Sequence, residues 1–101
     1  MKPTEIAKYK VCNMSSYKGT CKTVPNQFVI TIETDKGTKR IFQSYDTVIA
    51  VRDENGNITL DENNWNYSKT TAHYRNKFLY ENTAETRRNI KKGVYQLANL
   101  N

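Results

Sequence analysis

The sequence predicts an α+β fold, an antiparallel β-meander sheet of four or more strands with two C-terminal helices packed on one face. Three observations predict this fold. Runs of β-branched and aromatic residues, separated by short turn sequences, occupy residues 28–60. Helix-capping residues and helically spaced apolar side chains follow in residues 68–93. The chain has 101 residues, enough for one modest core, so residues 1–101 are expected to form a single domain.

The first third of the chain predicts one short strand and a long loop. Residues 7–12 place Ala7, Tyr9 and Val11 on one face of a strand. Residues 13–27 are polar and contain turn-forming Ser, Gly and Pro, which predicts a long loop. Such loops in small domains are often functional, although an unspecialised flexible connection is the simpler interpretation. The candidate contact residues of the loop are Tyr17, Lys18 and Lys22.

Residues 28–60 predict four antiparallel strands. Phe28, Ile30 and Ile32 recur with the period of two that a strand requires. The continuous apolar run 48–51 is typical of a central strand covered on both faces. Turns rich in Asp, Asn, Ser and Gly separate these runs. The strands are predicted at residues 28–33, 38–43, 48–51 and 58–60.

The acidic turn at residues 53–57 resembles the start of a calcium-binding loop, because oxygen-bearing side chains occupy alternate positions. The remaining requirements fail, since Ile58 stands where the loop needs glycine and Asn64 where it needs a bidentate glutamate. The turn is therefore interpreted as a hairpin turn in which Gly56 adopts positive φ. No metal site is predicted there.

Residues 68–93 predict two helices. Ser68 can cap a first helix over residues 69–80. Asn82, with Glu85 three residues later, predicts a capping box at the start of a second helix, which Gly93 ends. The positions predicted to face inward are Thr71, Tyr74, Phe78 and Leu79 in the first helix, and Thr86, Ile90 and Val94 in the second.

Two further segments connect to the helices. The stretch Trp65–Leu79 mixes aromatic rings with cations, and its rings are expected to join sheet to helices in the core rather than to form a stacking platform. The tail alternates Tyr95, Leu97 and Asn99, and is predicted either to add a short strand or to dock. The rings of the predicted seam are Trp65, Tyr67, Tyr74 and Phe78.

Charge is distributed unevenly along this basic chain, which carries a net charge of +6 and has a pI near 9.4. Residues 1–25 carry a net +4, residues 26–64 a net −3, and residues 65–101 a net +5. Two basic ends around an acidic middle suit a polyanion, or a partner with an acidic groove. Scattered basic residues that serve solubility are the alternative interpretation.

Seven basic residues of the helical region form the candidate binding site. Three recur at i, i+4 and i+8 on one line of the first helix. Four make two like-charge i, i+4 pairs on the second helix, which cost roughly a few tenths of a kcal/mol each. An anion would remove that cost, whereas attraction to the helix C-terminus is the structural explanation. The candidate partner- or nucleic-acid-binding residues are Lys69, His73, Lys77, Arg87, Arg88, Lys91 and Lys92.

The sequence predicts neither catalytic residues nor a cofactor. His73 is the only histidine, and the four glycines are isolated, so no phosphate-binding loop is present. Cys12 and Cys21 match no zinc pattern and are expected to be free thiols in a reducing cytosol. No signal peptide or membrane-spanning run is apparent. We therefore predict a non-enzymatic binding protein, without a small-molecule substrate or a membrane.

Two classes of partner fit such a protein. Aromatic and arginine side chains are typical anchors of protein–protein interfaces. Alternatively, the cations could lie on a phosphate backbone while aromatic rings stack on bases, although the sequence contains no established nucleic-acid-binding motif.

The string W-N-Y-S-K-T-T-A-H-Y-R-N-K-F-L at residues 65–79, then Glu85-Thr86, G-V-Y-Q-L from Gly93 and the ending N-L-N, resembles a family of small uncharacterised proteins of tailed bacteriophages and prophages. The resemblance covers about residues 38–101, and its pattern has glycine where this chain has Ala72 and Tyr80.

That resemblance implies a phage-encoded accessory protein in the cytoplasm of the bacterial host cell. Proteins of this sort often bind and inhibit host machinery for defence or nucleic-acid processing. The expected function is therefore anti-defence inhibition or modulation, by occlusion of a host protein or nucleoprotein complex. Direct DNA or RNA binding through the basic helical face is the alternative.

Overall fold

The computed structural model describes residues 6–15 and 23–101. The candidate loop contacts Tyr17, Lys18 and Lys22 lie outside the described residues, as does Cys21.

The described part of the chain forms one sheet of six strands. In the chain, two helices follow the fifth strand and precede the sixth. Strand order follows chain order; neighbouring strands are antiparallel except β5 and β6, which are parallel. This confirms the predicted α+β fold with two C-terminal helices. The elements are β1 (Ile6–Ser15), β2 (Thr23–Thr34), β3 (Gly37–Ser44), β4 (Thr47–Arg52), β5 (Ile58–Asp61), α1 (Lys69–Leu79), α2 (Thr83–Lys91) and β6 (Gln96–Ala98).

The first two strands extend into the segment predicted as a loop. β1 continues through Ser15, and β2 begins at Thr23, which pairs with Ser15. The prediction of a loop over residues 13–27 is therefore wrong at both ends. Polar residues fit here because β1 is an edge strand, exposed from Tyr9 to Asn13, so the segment lacks the apolar signal of a buried strand.

The core lies between the sheet and the helices. Phe42, Ala50 and Leu60 are neighbours on β3, β4 and β5, and all three are fully buried. The Phe78 ring of α1 stacks on Phe42 with 5.9 Å between ring centres. The core residues are Phe42, Ile49, Ala50, Ile58, Leu60, Phe78, Leu79 and Tyr95.

β4 contains a bulge. Its register against β3 shifts after Phe42 and leaves Ile49 as an extra residue. Ile49 and Ala50 are consecutive and both fully buried. Val51 lies on the opposite face of the sheet, between Ile41 and Thr59. The prediction that residues 48–51 are covered on both faces is therefore wrong, because the bulge produces the buried run.

α1 begins where Ser68 caps it, with the Ser68 Oγ accepting a hydrogen bond from the Thr71 N–H at 3.1 Å. The helix ends at Leu79, one residue earlier than predicted. Tyr80 follows with a φ of 58° and donates its backbone N–H to Asn76. A left-handed residue at this position explains why the related pattern has glycine there.

α2 begins with the predicted capping box. Asn82 Oδ1 accepts from the Glu85 N–H at 2.8 Å, and the Asn82 N–H donates to Glu85 Oε1 at 3.2 Å. The helix ends at Lys91, and Gly93, which was predicted to end it, has a φ of 76°. Gly56 has a φ of 84°, the positive value predicted for it.

The predicted inward faces of the helices are confirmed at every position but one. Val94 is exposed, because the chain leaves helical spacing at Gly93. The buried or half-buried positions are Thr71, Tyr74, Phe78 and Leu79 in α1, and Thr86 and Ile90 in α2.

The tail returns to the sheet. β6 pairs with β5, with Leu97 beside Leu60, and Tyr95 joins the core. Asn101 then pairs its side-chain amide with the backbone of Val48, accepting from the N–H at 2.8 Å and donating to the carbonyl at 2.9 Å. Because β5 pairs with β4 only over residues 50–52, Asn101 satisfies the β4 edge where β5 has ended.

Candidate binding surface on the two helices

All seven predicted binding residues are present in the two helices or at the end of α2, and six are exposed. The seventh, Lys77, is half-buried. We name this set the basic helical surface. It consists of Lys69, His73, Lys77, Arg87, Arg88, Lys91 and Lys92.

The part of this surface on α1 is arranged around Tyr74. The His73 ring meets the Tyr74 ring edge-on with 4.8 Å between centres, and Lys77 Nζ lies 5.5 Å from the Tyr74 ring centre. Tyr74 is half-buried and packs against the core, so it ties both cationic positions to the fold. Lys69 opens α1, whose first turn has no acidic residue to balance it at the positive end of the helix dipole.

The part on α2 is denser. Arg88 and Lys91 stand in the last turn, and Lys92 caps the helix. All three side chains are exposed, and none is hydrogen-bonded or ion-paired to another described residue. All three lie near the negative end of the helix dipole, which stabilises their positive charges. This stabilisation does not neutralise the charges, so they can still attract an anionic partner.

Trp65 connects the two helices. Its ring centre lies 5.6 Å from the Arg87 guanidinium of α2 and 5.2 Å from the Arg75 guanidinium of α1. Arg87 of α2 therefore lies beside Trp65, close to the N-terminal end of α1.

Arg75 is fully buried, and it was not predicted to be. Its Nη1 donates to the Trp65 carbonyl at 2.8 Å and to Asn66 Oδ1 at 3.0 Å. Its Nη2 donates to Asn76 Oδ1 and Thr83 Oγ1, both at 2.8 Å. These hydrogen bonds from the buried guanidinium hold the segment before α1 and the start of α2 against α1.

One carboxylate and one cation act on the buried charge of Arg75. Burial lowers the pKa of Arg75, the charge of Glu81 opposes that change, and the positive charge of Arg87 adds to it, so the pKa lies below its ordinary value. The sequence did carry a signal, because position 75 is four residues after Thr71 and three before Phe78, within the inward stripe of α1.

Glu81 organises a second polar cluster. Its carboxylate accepts from the Thr86 hydroxyl at 2.6 Å, from Asn89 Nδ2 at 3.4 Å and from the Tyr95 hydroxyl at 2.5 Å. Burial, together with the hydrogen bond and charge of Glu81, raises the pKa of Tyr95 to about 12. This cluster connects the end of α1, the helix α2 and the start of β6.

Asp61 holds the tail. The carboxylate is almost fully buried and accepts from the Leu100 N–H at 2.8 Å, from the Asn64 side chain at 2.7 Å and from the Asn64 N–H at 2.9 Å. Burial raises the pKa of Asp61, but the hydrogen bonds from Leu100, Asn64, Asn101 and Asn63 together outweigh it, and the pKa lies below its ordinary value.

The predicted aromatic seam is confirmed at three of its four positions. Phe78 is a core residue, and Trp65 and Tyr74 pack against the core. Tyr67 is 53% exposed, so its predicted place in the seam is wrong. Tyr67 precedes α1 and Tyr80, 81% exposed, follows it, so each end of the helix carries an exposed ring.

A pocket of about 310 Å³ lies apart from the helices, over β1, β2 and β3. It joins the exposed free thiol of Cys12 to two cations and one carboxylate, all exposed. Its lining residues are Tyr9, Lys10, Cys12, Thr31, Glu33 and Arg40.

Within residues 6–15 and 23–101, no group of three or more His, Cys, Asp or Glu residues could hold a metal ion. Neither α1 nor α2 has the length and apolar character needed to cross a membrane.

No curated protein and no solved structure matches the chain. A model of a family of unknown function, DUF8033, matches residues 9–94, from β1 to the turn before β6. The match extends through β1 and β2, which precede the region of the phage resemblance. The chain therefore belongs to the DUF8033 family.

Proposed function

We propose that this protein binds nucleic acid and catalyses no reaction of its own, with the basic helical surface holding the phosphate backbone. The observation that carries this proposal is the row of four exposed cations on α2. From Arg87 to Lys92 they span about 7.5 Å of helix. One strand of duplex DNA carries about two phosphates over that length. The cations of α2 are thus sufficient to neutralise the part of the backbone that the helix would contact.

The surroundings of Trp65 indicate which ring would contact a base. Trp65 is half-buried, and two guanidinium groups already lie against its ring. Tyr67 is exposed and stands two residues before Lys69, so it is the better candidate for stacking.

Fluorescence anisotropy with labelled single-stranded and duplex DNA tests the proposal. The double variant Arg88→Gln/Lys92→Gln should weaken binding about 10-fold or more and lower the salt slope by about two, since each lost phosphate contact removes roughly one unit. Arg87 stays unchanged because it contacts Trp65.

The matched control is Lys36→Gln/Arg40→Gln, which removes the same charge from exposed positions in the sheet region. It should change the affinity by less than about twofold. Equal losses in both double variants would mean that only net charge matters, and the assignment to the helices would then be wrong.

A protein partner is the second candidate. The exposed rings of Tyr67 and Tyr80, together with Arg87, are residue types that dominate protein interfaces. The phage resemblance of residues 38–101 supports a phage-encoded protein that acts in the bacterial cytoplasm and occludes a host defence or nucleic-acid-processing protein, or its nucleoprotein complex. Nuclease-treated pull-down from bacterial lysate separates the candidates. A specific host protein retained after nuclease treatment supports occlusion, and loss of all partners supports direct nucleic-acid binding.

A further inference from the structure

The face of the sheet opposite the helices carries a continuous row of side chains across five strands, and the row is apolar on the first four. The register pairs Val11 with Ile30, Ile30 with Ile41, Ile41 with Val51, and Val51 with Thr59. Shorter rows flank it on both sides. We name the whole the open face; it consists of Tyr9, Ile32 and Lys39, then Val11, Ile30, Ile41, Val51 and Thr59, then Asn13, Phe28, Gln43 and Val48.

None of these residues packs against the core. Tyr9 is 70% exposed and Val11 54%, and Ile30, Ile41 and Val51 further into the sheet are half-buried. Phe42 and Ala50, on the helix side of the same strands as Ile41 and Val51, are fully buried. The described helices thus cover one side of the sheet, while the other side keeps partly accessible apolar side chains. An apolar surface of this extent is typical of an interaction site.

We propose that a second copy of this chain covers the open face, sheet against sheet about a twofold axis. The open face has one charged residue, Lys39, so a second copy offers the same apolar surface without an unpaired charge at its centre. The charged groups of a strongly charged partner would lose their hydration on this face and find no group of opposite charge to pair with.

Charge also favours this arrangement. Each chain carries +6, and its densest cations lie on the helices, on the far side of the sheet. Packed sheets lie about 10 Å apart, and a helix layer adds about 10 Å on each side. The two basic helical surfaces would then be about 30 Å apart, well beyond the Debye length of about 8 Å.

The area fits a weak dimer. The three rows hold three, five and four residues. At a strand spacing of about 4.8 Å and about 6.7 Å between rows, they give a footprint of about 400 Å² per copy. Two copies would bury about 800 Å² in total, which is in the range of weak, transient interfaces. A dissociation constant of tens of micromolar is therefore expected.

Sedimentation velocity on the nuclease-treated full chain, from about 1 to about 200 μM, tests the proposal. The wild type should approach twice the 11.8 kDa mass of one chain at the upper end. Ile41→Lys, at the centre of the open face, should raise the dissociation constant at least about 100-fold, because it buries two like charges. Thr38→Lys, in the same strand but on the helix side, should leave the constant unchanged within about twofold.

A second variant guards against misfolding of Ile41→Lys, which circular dichroism would reveal. Val11→Lys changes an exposed residue of the edge strand, so the fold should tolerate it, and it should weaken the dimer about 10-fold. A wild type that stays monomeric throughout, or a folded Ile41→Lys or Val11→Lys variant that dimerises as the wild type does, would overturn the proposal. None of these substitutions lies in the helices, so the test of DNA binding and the test of dimer formation can give opposite results.

Discussion

Arg75 contacts Trp65 in two ways: its Nη1 donates a hydrogen bond to the Trp65 carbonyl at 2.8 Å, and its guanidinium lies 5.2 Å from the centre of the Trp65 ring. The same side chain reaches Thr83 at the start of α2. One buried cation therefore sets the position of both helices, and with it the geometry of the basic helical surface.

Replacing Arg75 with lysine should lower the free energy of unfolding by about 2–3 kcal/mol. The planar guanidinium of arginine donates to acceptors on two sides. The lysine ammonium keeps the charge but cannot reach all of them, so buried acceptors are left without a hydrogen bond. Urea denaturation measures the loss. Arg88→Lys, the same change at an exposed position, should stay within about 0.5 kcal/mol of the wild type. Equal stability of the two variants would show that the Arg75 network does not hold the helices.

Tyr80→Gly should stabilise the protein by up to about 1 kcal/mol. Tyr80 has a φ of 58° and is 81% exposed, so the substitution removes backbone strain and little packing. Thermal denaturation provides the measurement. Tyr80→Ala keeps the Cβ atom and with it the strain, so it should show no comparable gain; an equal gain in both would exclude the strain explanation.

Asp61 should contribute to acid stability. Its pKa in the folded state lies below the ordinary value of 3.8, so its contribution is present above that pH and is lost as pH falls through the folded-state pKa. Asp61→Asn should cost about 2–3 kcal/mol at pH 7, because an amide nitrogen would face N–H donors, and the difference from wild type should shrink below pH 4. Urea denaturation from pH 7 to pH 2 measures this.

The matched control for Asp61 is Asp46→Asn at an exposed turn position, which should shift stability by less than about 0.5 kcal/mol. A difference between Asp61→Asn and wild type that stayed constant down to pH 2 would contradict the role given to the charge.

Tyr95 should contribute stability that is lost at high pH. Its pKa is raised from 10.0 to about 12, so the contribution is fully present below pH 10 and disappears as pH rises towards 12. Tyr95→Phe removes the hydrogen bond to Glu81 and should cost about 1–2 kcal/mol at neutral pH. The two proteins should converge between pH 10 and pH 12, as measured by denaturation. A constant difference across that range would refute the assignment.

Local signals in the sequence predicted local structure well. The caps at Ser68 and Asn82 act within three residues, and both are confirmed. Helical spacing also placed six of the seven candidate site residues at exposed positions. The placement of the α1 cations relative to those of α2 depends on how the two helices meet at Trp65, which residue spacing does not reveal.

The failures share a physical origin in contacts between different elements, which residue spacing within one element does not determine. The bulge at Ile49 exists only in the register of β4 against β3, so the run 48–51 resembled a strand covered on both faces. Arg75 is fully buried, and no role was predicted for it, although its spacing places it on the inward side of α1. Its acceptors are scattered over residues 65–83, and no pattern in the sequence assembles them.

The pairing of β6 with β5 orders the events of folding. Strands β2 to β5 join through short turns, so their hairpins close cheaply and can form early. The contact of Leu100 with Asp61 spans 39 residues, and that of Asn101 with Val48 spans 53. Both helices lie within these spans. On the ribosome, therefore, we expect the hairpins to assemble while the chain emerges, and β6 to join the edge of the sheet only after Asn101 has left the exit tunnel.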